Sequence, residues 1–297
     1  MLDIFQGAVS LGLLWAIMTI GVFITYRILD IADLTVEGSI TLGAAIAAKM
    51  VVSGASPLVA TLVATLAGGV AGLATGLLHT KLRIPALLAG ILTMIALYSI
   101  NIRIMGKANI SLLSMDTIYS TFTQIGLSPR NAVILLALIV VALVCVLLYW
   151  FFGTELGSSV RATGSNPNMV RAQGINTSNM KILGLIISNA LVALSGALIC
   201  QNQSYVAVDM GTGSIVIGLA SVIIGEVIFG TRNFANTLLS LTLGAVTYRV
   251  IIAVVLELGM RPTDLKLFTA ITVAIALALP VFRSYLAPLK KSMKGGA

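Results

Sequence analysis

Seven residues able to carry a charge or a strong hydrogen bond lie within or at the mouths of long apolar runs: Glu37, Asn189, Ser195, Gln201, Asn202, Glu226 and Arg249. Ionisable groups are costly there and ordinarily face a cavity or a partner, which makes all seven candidates for lining a polar pathway. Glu226 and Arg249 have opposite signs and are expected to pair across adjacent helices, either fixing helix register or serving the pathway. Glu37, beside Gly38, sits at a helix mouth where its carboxylate can also rest in water. Asn189, Ser195, Gln201, Asn202 and Gln203 make one helix polar toward its end, to line a route or to bond between helices. The chemistry on offer is non-covalent. A lone His79 beside Lys81 and Arg83 is no metal cluster, and no nucleophile–base–acid set is present. Cys145 and Cys200 fall inside apolar runs and read as small buried hydrophobes.

A second constellation is continuous and polar. It runs Glu155-Leu-Gly-Ser-Ser-Val-Arg161-Ala-Thr-Gly-Ser-Asn166-Pro167-Asn168-Met169-Val170-Arg171-Ala172-Gln173-Gly174-Ile175-Asn176. Asn166 is a good N-cap, Pro167 suits the first turn and Gly174 suits the stop. Pro167 to Gln173 is enough for about two turns at 3.6 residues each. So short a helix is unstable alone in water and must pack on something. A membrane face explains Asn168, Arg171 and Gln173 poorly; a groove on a partner protein explains them better.

The elements that position these residues follow from composition. Of 297 residues, 58% are hydrophobic and only 9% charged, against about 25% charged in soluble domains. Disorder and nucleic-acid binding are excluded on the same numbers. The expected fold class is all-α, a polytopic transmembrane helix bundle in a lipid bilayer, forming a single domain over 1–297. A crossing takes about 20 apolar residues. Spans are expected near 6–26, 36–53, 57–78, 85–105, 132–152, 180–201, 211–230, 235–256 and 263–283, about nine in all. Helix starts are marked by Ser56-Pro57, Pro85, Ser128-Pro129 and Pro262. Met1 to Gln6 has no basic residue and no cleavage pattern follows, so the first apolar segment is expected to remain.

Of the 18 basic residues, eleven lie on one side when the N-terminus is placed outside and the C-terminus in the cytoplasm, against seven opposite. The long loops are then 153–179 inside and 106–130 outside. In the outer loop Met115, Ile118, Tyr119, Phe122 and Ile125 have helical spacing, which predicts a short amphipathic surface helix.

Two internal patterns stand out. Gly38-Ser-Ile-Thr-Leu-Gly43-Ala-Ala45, after Asp33, aligns without gaps on Gly213-Ser-Ile-Val-Ile-Gly218-Leu-Ala220, after Asp209. The pair suggests inverted halves with broken or re-entrant helices, an arrangement common in transport proteins. Gly68, Gly72 and Gly76 recur every fourth residue, the small-xxx-small pattern of close helix packing.

The run Arg161-Ala-Thr-Gly-Ser-Asn-Pro-Asn-Met-Val-Arg-Ala-Gln-Gly-Ile-Asn176, with Ser188-Asn-Ala-Leu-Val-Ala-Leu-Ser-Gly-Ala-Leu198, resembles the permeases of ABC importers of the branched-chain amino-acid and ribose type. Asp33-Leu-Thr-Val-Glu-Gly-Ser39 resembles an early segment of the same family, here with Glu37 inserted. The resemblance implies a multi-pass permease of a bacterial cytoplasmic (inner) membrane that works with a second permease subunit as a homodimer. Two ATP-binding cassette ATPase subunits and an extracellular substrate-binding protein would complete it. Asn166, Pro167, Asn168, Met169, Val170, Arg171, Ala172, Gln173 and Gly174 become the ATPase-coupling helix, with Met169 and Val170 as apolar knobs. No cofactor or metal is expected in this chain. It contains no G-x-x-x-x-G-K-[ST] loop, so ATP-Mg belongs on the partner ATPase and the chain is not itself an enzyme. The substrate expected is a small polar nutrient, foremost an amino acid, with a sugar or nucleoside as alternative. An ion- or proton-coupled secondary transporter is the alternative mechanism.

Overall fold

A chain surrounded by hydrocarbon must satisfy its backbone hydrogen bonds internally, and the long apolar runs do so as helices. The computed structural model describes residues 2–124, 126, 128–259, 264, 267–275 and 278. In chain order come α1 (Leu2–Phe23, continued by a π-turn Ile24–Ile28), α2 (Thr35–Val52), α3 (Pro57–Thr80) and α4 (Ala86–Met105). Then follow β1 (Asn109–Ser111), α5 (Ser120–Gln124), α6 (Pro129–Gly153), α7 (Glu155–Ser165), α8 (Pro167–Ala172) and α9 (Thr177–Gln203). β2 (Tyr205–Ala207), α10 (Ser214–Phe229) and α11 (Phe234–Glu257) complete the series. Among the described residues seven helices are long and apolar enough to cross a membrane. The seventh expected span, 211–230, is instead the 16-residue α10, short of the about 20 residues a crossing takes. Part of the expected span 263–283 lies outside the described residues, as do Arg261, Pro262, Lys266 and the basic tail; 267–275 is helical.

α1, α2 and α9 form the interior. Gly68 and Gly72 of α3 bring its backbone against Asn189 and Leu185 of α9, and an added Cβ at either would meet their carbonyl oxygens. Gly76 stands over Ile182. The glycine stripe is therefore the α3–α9 seam. α4 and α6 lie at the rim, with Leu92, Ile95, Tyr98, Leu143, Val146 and Leu147 exposed, the outward apolar face of a chain whose solvent is lipid or another membrane subunit.

The repeat is visible in the packing. α3 lies along α9 as α11 lies along α1, and α2 packs on α3 as α10 packs on α11. Gly43 of α2 lets that helix touch Ala193 of α9, while its aligned partner Gly218 of α10 faces Met18 and Val22 of α1. The two aligned glycines thus perform equivalent contacts in the two halves.

α8 precedes α9 and β2 follows it, so α7 and α8 mark one end of the bundle, here the elbow end, and the β1–β2 ribbon marks the other. The ribbon pairs Asn109 with Ala207 and Ser111 with Tyr205, antiparallel. It departs from a wholly α fold because Gly106 ends α4 in the left-handed region at φ 71° and releases the chain across the ribbon end. The amphipathic helix expected over Met115 to Ile125 is not formed as such. Ser114 takes φ 69°, helix begins only at Ser120, and Met115 is exposed. Tyr119 instead inserts into the bundle and donates to the Leu198 carbonyl at 3.0 Å. Ile125 lies outside the described residues.

Candidate functional site

The polar loop folds as two helices, one of them not foreseen. Thr154 caps α7 by accepting from the Gly157 N–H at 3.3 Å. Gly157 lies on Phe151 and Gly164 on the carbonyl of Ile28, so α7 is laid against the end of α6 and under the π-turn of α1. Arg161 stands 5.4 Å from the centre of the Phe234 ring at the start of α11. Asn166 then caps α8, its side chain accepting from the Met169 N–H at 3.1 Å. Gly174 ends the turn at φ 82°, and Arg171 Nε donates to Thr177 Oγ1 at 3.0 Å. Asn168, Met169, Arg171, Ala172, Gln173 and Gly174 are exposed. Val170 is not a knob: it is wholly buried, because one face of a six-residue helix must anchor it to the bundle. Met169, 43% exposed, remains the apolar side chain presented outward.

The seven intramembrane candidates do not converge on one site. Ser195 donates to the Leu14 carbonyl at 2.8 Å, a bond between α9 and α1. Gln201 donates to Thr61 Oγ1 at 2.9 Å and accepts from the Ile118 N–H at 3.0 Å, which ties α9 to α3 and to the ribbon-end loop. Asn202 lines a cavity of about 330 Å³ at that end, with Tyr119 and Thr123. Burial pushes the Tyr119 phenol far above its usual range, so it stays a neutral donor.

Asn189 belongs to a buried polar seam whose other anchor is Asp33. Asp33 Oδ1 accepts from the Thr35 N–H at 2.9 Å, and Oδ2 accepts from Asn189 Nδ2 at 2.8 Å. Ser39 donates to Asn189 Oδ1 at 2.7 Å, while Thr35, Thr75 and Thr93 continue the seam through hydroxyls 2.7 and 2.9 Å apart. One set of bonds thereby locks the break 29–34 and the first turn of α2 to α3, α4 and α9. Glu37 reaches from that turn to the other half, accepting from the Gly213 N–H at 3.0 Å. Its carboxylate caps α10, where the helix dipole favours negative charge.

Glu226 and Arg249 do not pair. Arg27, two residues before the break, makes a bidentate bridge to Glu226 at 3.1 and 3.0 Å, linking the π-turn of α1 to α10. The bridge adjoins a cavity of about 750 Å³ at the elbow end, lined by Arg27, Asp30, Arg161 and Arg232. Arg249 stacks instead on Trp15, its guanidinium carbon 4.0 Å from the ring centre. A desolvated cation–π contact returns about 2 kcal/mol, against a penalty of several kcal/mol for taking an ion out of water. The stacking alone leaves that charge undercompensated. Arg27, Asp33 and Trp15 escape sequence reasoning: Arg27 reads as one more loop cation, and its partner is 199 residues away. Asp33, present in the repeated segment, is the one of the three that the pattern does mark. His79 Nδ1 donates to the Ile84 carbonyl, 3.0 Å away, at the elbow end of α3. Among the described residues no three His, Cys, Asp or Glu side chains gather as a metal site.

A buried bundle of long apolar helices with two similarly packed halves and a capped helical elbow at one end has the architecture of a multi-pass membrane protein. The chain belongs to the family described as branched-chain amino acid transport system, permease component, whose model matches residues 4–279. It is similar to the tyrosine transport system permease protein of Clostridioides difficile (strain R20291), 46% identical over 267 residues that cover 90% of this chain and 88% of that protein. It is also similar to the ribose import permease of Bacillus subtilis (strain 168), 28% identical over 80% of this chain and 75% of that one. Among solved structures, an ABC transporter of metal-chelate type in an inward-facing conformation matches with TM-score 0.52, covering 95% of this chain and 85% of that chain. At 14% identity the likeness is one of fold.

Proposed function

We propose that the chain is the permease subunit of an ATP-driven importer of an amino acid, with tyrosine as the first candidate. The observation that carries the mechanism is the elbow: a helix capped at both ends, anchored by Val170 and presenting Met169 outward. A rigid, exposed, two-turn projection is suited to the groove of a motor subunit. The preceding α7 bears on α1 through Gly164 and Ile28, so movement of α8 has a packed route through α7 to the π-turn, the Arg27–Glu226 bridge and the break before α2. In this reading the elbow end is cytoplasmic and the ribbon end external, in a bacterial inner membrane. A second permease copy, two ATPase subunits carrying ATP-Mg and a secreted binding protein complete the assembly. Substrate class rests on the similarity to the tyrosine permease, to which this chain is closer than to the ribose permease in both identity and coverage.

The deciding experiment is uptake of radiolabelled L-tyrosine by proteoliposomes holding the permease, its ATPase and its binding protein. ATP-dependent uptake, competed by excess unlabelled tyrosine and not by ribose, is expected. Uptake by the permease alone under an ion gradient would replace this mechanism with secondary transport.

A further inference from the structure

Arg249 and Trp15 are unfinished as a pair. Arg249 Nε and Trp15 Nε1 are both buried donors without a hydrogen-bond partner, although the two side chains are stacked. A guanidinium with no anionic partner is a ready recognition element for an oxyanion. Among the described residues no carboxylate forms an ion pair with Arg249. Among the described residues the acidic one on the cavity beside it, Glu257, is eight positions along α11, a rise of roughly 12 Å. That cavity, of about 430 Å³, lies between α1 and α11 and is lined by Arg249 at one place and by apolar groups such as Ala8, Leu11, Ile252 and Leu256 elsewhere. Its size falls within the range of small-molecule pockets, and one charged group on an apolar wall is their usual composition. Arg249 is partly exposed where it lines the cavity.

We infer that Arg249, stacked on Trp15, forms the head-group end of a binding site for a small anionic amphiphile. A single carboxylate or phosphate is held by the Arg249 guanidinium, and the apolar body lies in the groove between α1 and α11. Two sources carry this chemistry: a free amino acid with a large apolar side chain, and a lipid-derived acid. The inference goes beyond the transport reading; a lipid-derived ligand would occupy the site whatever the chain moves.

The chain has two tryptophans, and Trp150 is exposed. In a Trp150→Phe variant, indole emission therefore reports on Trp15 alone. The purified permease in phosphatidylcholine nanodiscs is titrated with L-tyrosine, L-phenylalanine and dodecanoate, exciting only the indole. At least one of these is expected to change the emission saturably. Arg249→Gln weakens that response tenfold or more and Arg103→Gln, exposed at the end of α4, leaves it unaltered. Response to the amino acids identifies a substrate carboxylate, and response to dodecanoate a lipid-derived one. L-tyrosinamide and dodecanol, which lack the carboxylate, give no response, and this arm decides the matter on the parent fold if Arg249→Gln does not fold. No response to any of the three acids, or an equal response to the carboxylate-free compounds, overturns the inference.

Discussion

At the scale of single residues, the charges inside the bundle separate by how much water they keep. The Arg27 side chain is 58% exposed, so its bridge to Glu226 is worth about 1 kcal/mol or less. Arg27→Ala is expected to leave the unfolding midpoint nearly unchanged while it lowers uptake, because it frees α1 from α10 beside the elbow; paired thermal and uptake measurements separate the two effects. Asp33 is different. It is 2% exposed and depends on Asn189 for one of its donors, and an unsatisfied buried acceptor costs about 1–3 kcal/mol, more when charged. Asn189→Ala is therefore expected to destabilise the detergent-solubilised protein by that order in a denaturant titration. A change under about 1 kcal/mol would mean that the seam holds nothing together. The same logic divides the elbow: Met169→Asp leaves folding intact and abolishes co-purification with the ATPase, whereas Val170→Asp unseats α8 itself. Equal ATPase recovery with Met169→Asp would sink the coupling assignment.

At the scale of elements, helices were legible where the apolar run was long and its start was punctuated. Ser128 and Pro129 mark the start of α6, and the Ser128 side chain does accept from the Asn131 N–H at 3.4 Å. α8 was legible through Asn166, Pro167 and Gly174. α7 was not: Glu155-Leu-Gly-Ser-Ser-Val-Arg-Ala-Thr-Gly-Ser165 holds two glycines and no apolar stripe of helical width. It becomes a helix because those glycines let it lie on Phe151 and Ile28, a tertiary effect that propensity does not record. The Glu226–Arg249 pairing failed for a related reason: spacing along two helices shows which charges exist, whereas helix rotation decides which meet. A side chain at Gly164 would collide with the Ile28 carbonyl. Gly164→Val is thus expected to leave the permease folded but uncouple ATP hydrolysis from uptake, seen as ATPase activity retained with transport lost.

At the scale of the whole molecule, the repeat places the first turns of α2 and α10 against each other, bridged by Glu37 and Gly213. α2 and the shorter α10 thus begin inside a protein interior, where broken helices can meet without exposing backbone to lipid. The orientation of this bundle is open to direct test. Leu113 at the ribbon end is 75% exposed and Asn168 is exposed on the elbow. A Leu113→Cys variant in intact cells is expected to react with a membrane-impermeant maleimide, and an Asn168→Cys variant only after permeabilisation. The reverse pattern would invert the topology and remove the elbow from the side where ATP is made available. The central claim, that α8 is where a motor grips an amino-acid permease, meets its most direct test in ATP-driven L-tyrosine uptake by the reconstituted assembly with and without Met169→Asp. The account predicts tyrosine uptake in the parent and its loss, by tenfold or more, in a variant that remains folded. Undiminished uptake with Met169→Asp, or tyrosine uptake that needs no ATP, would contradict it.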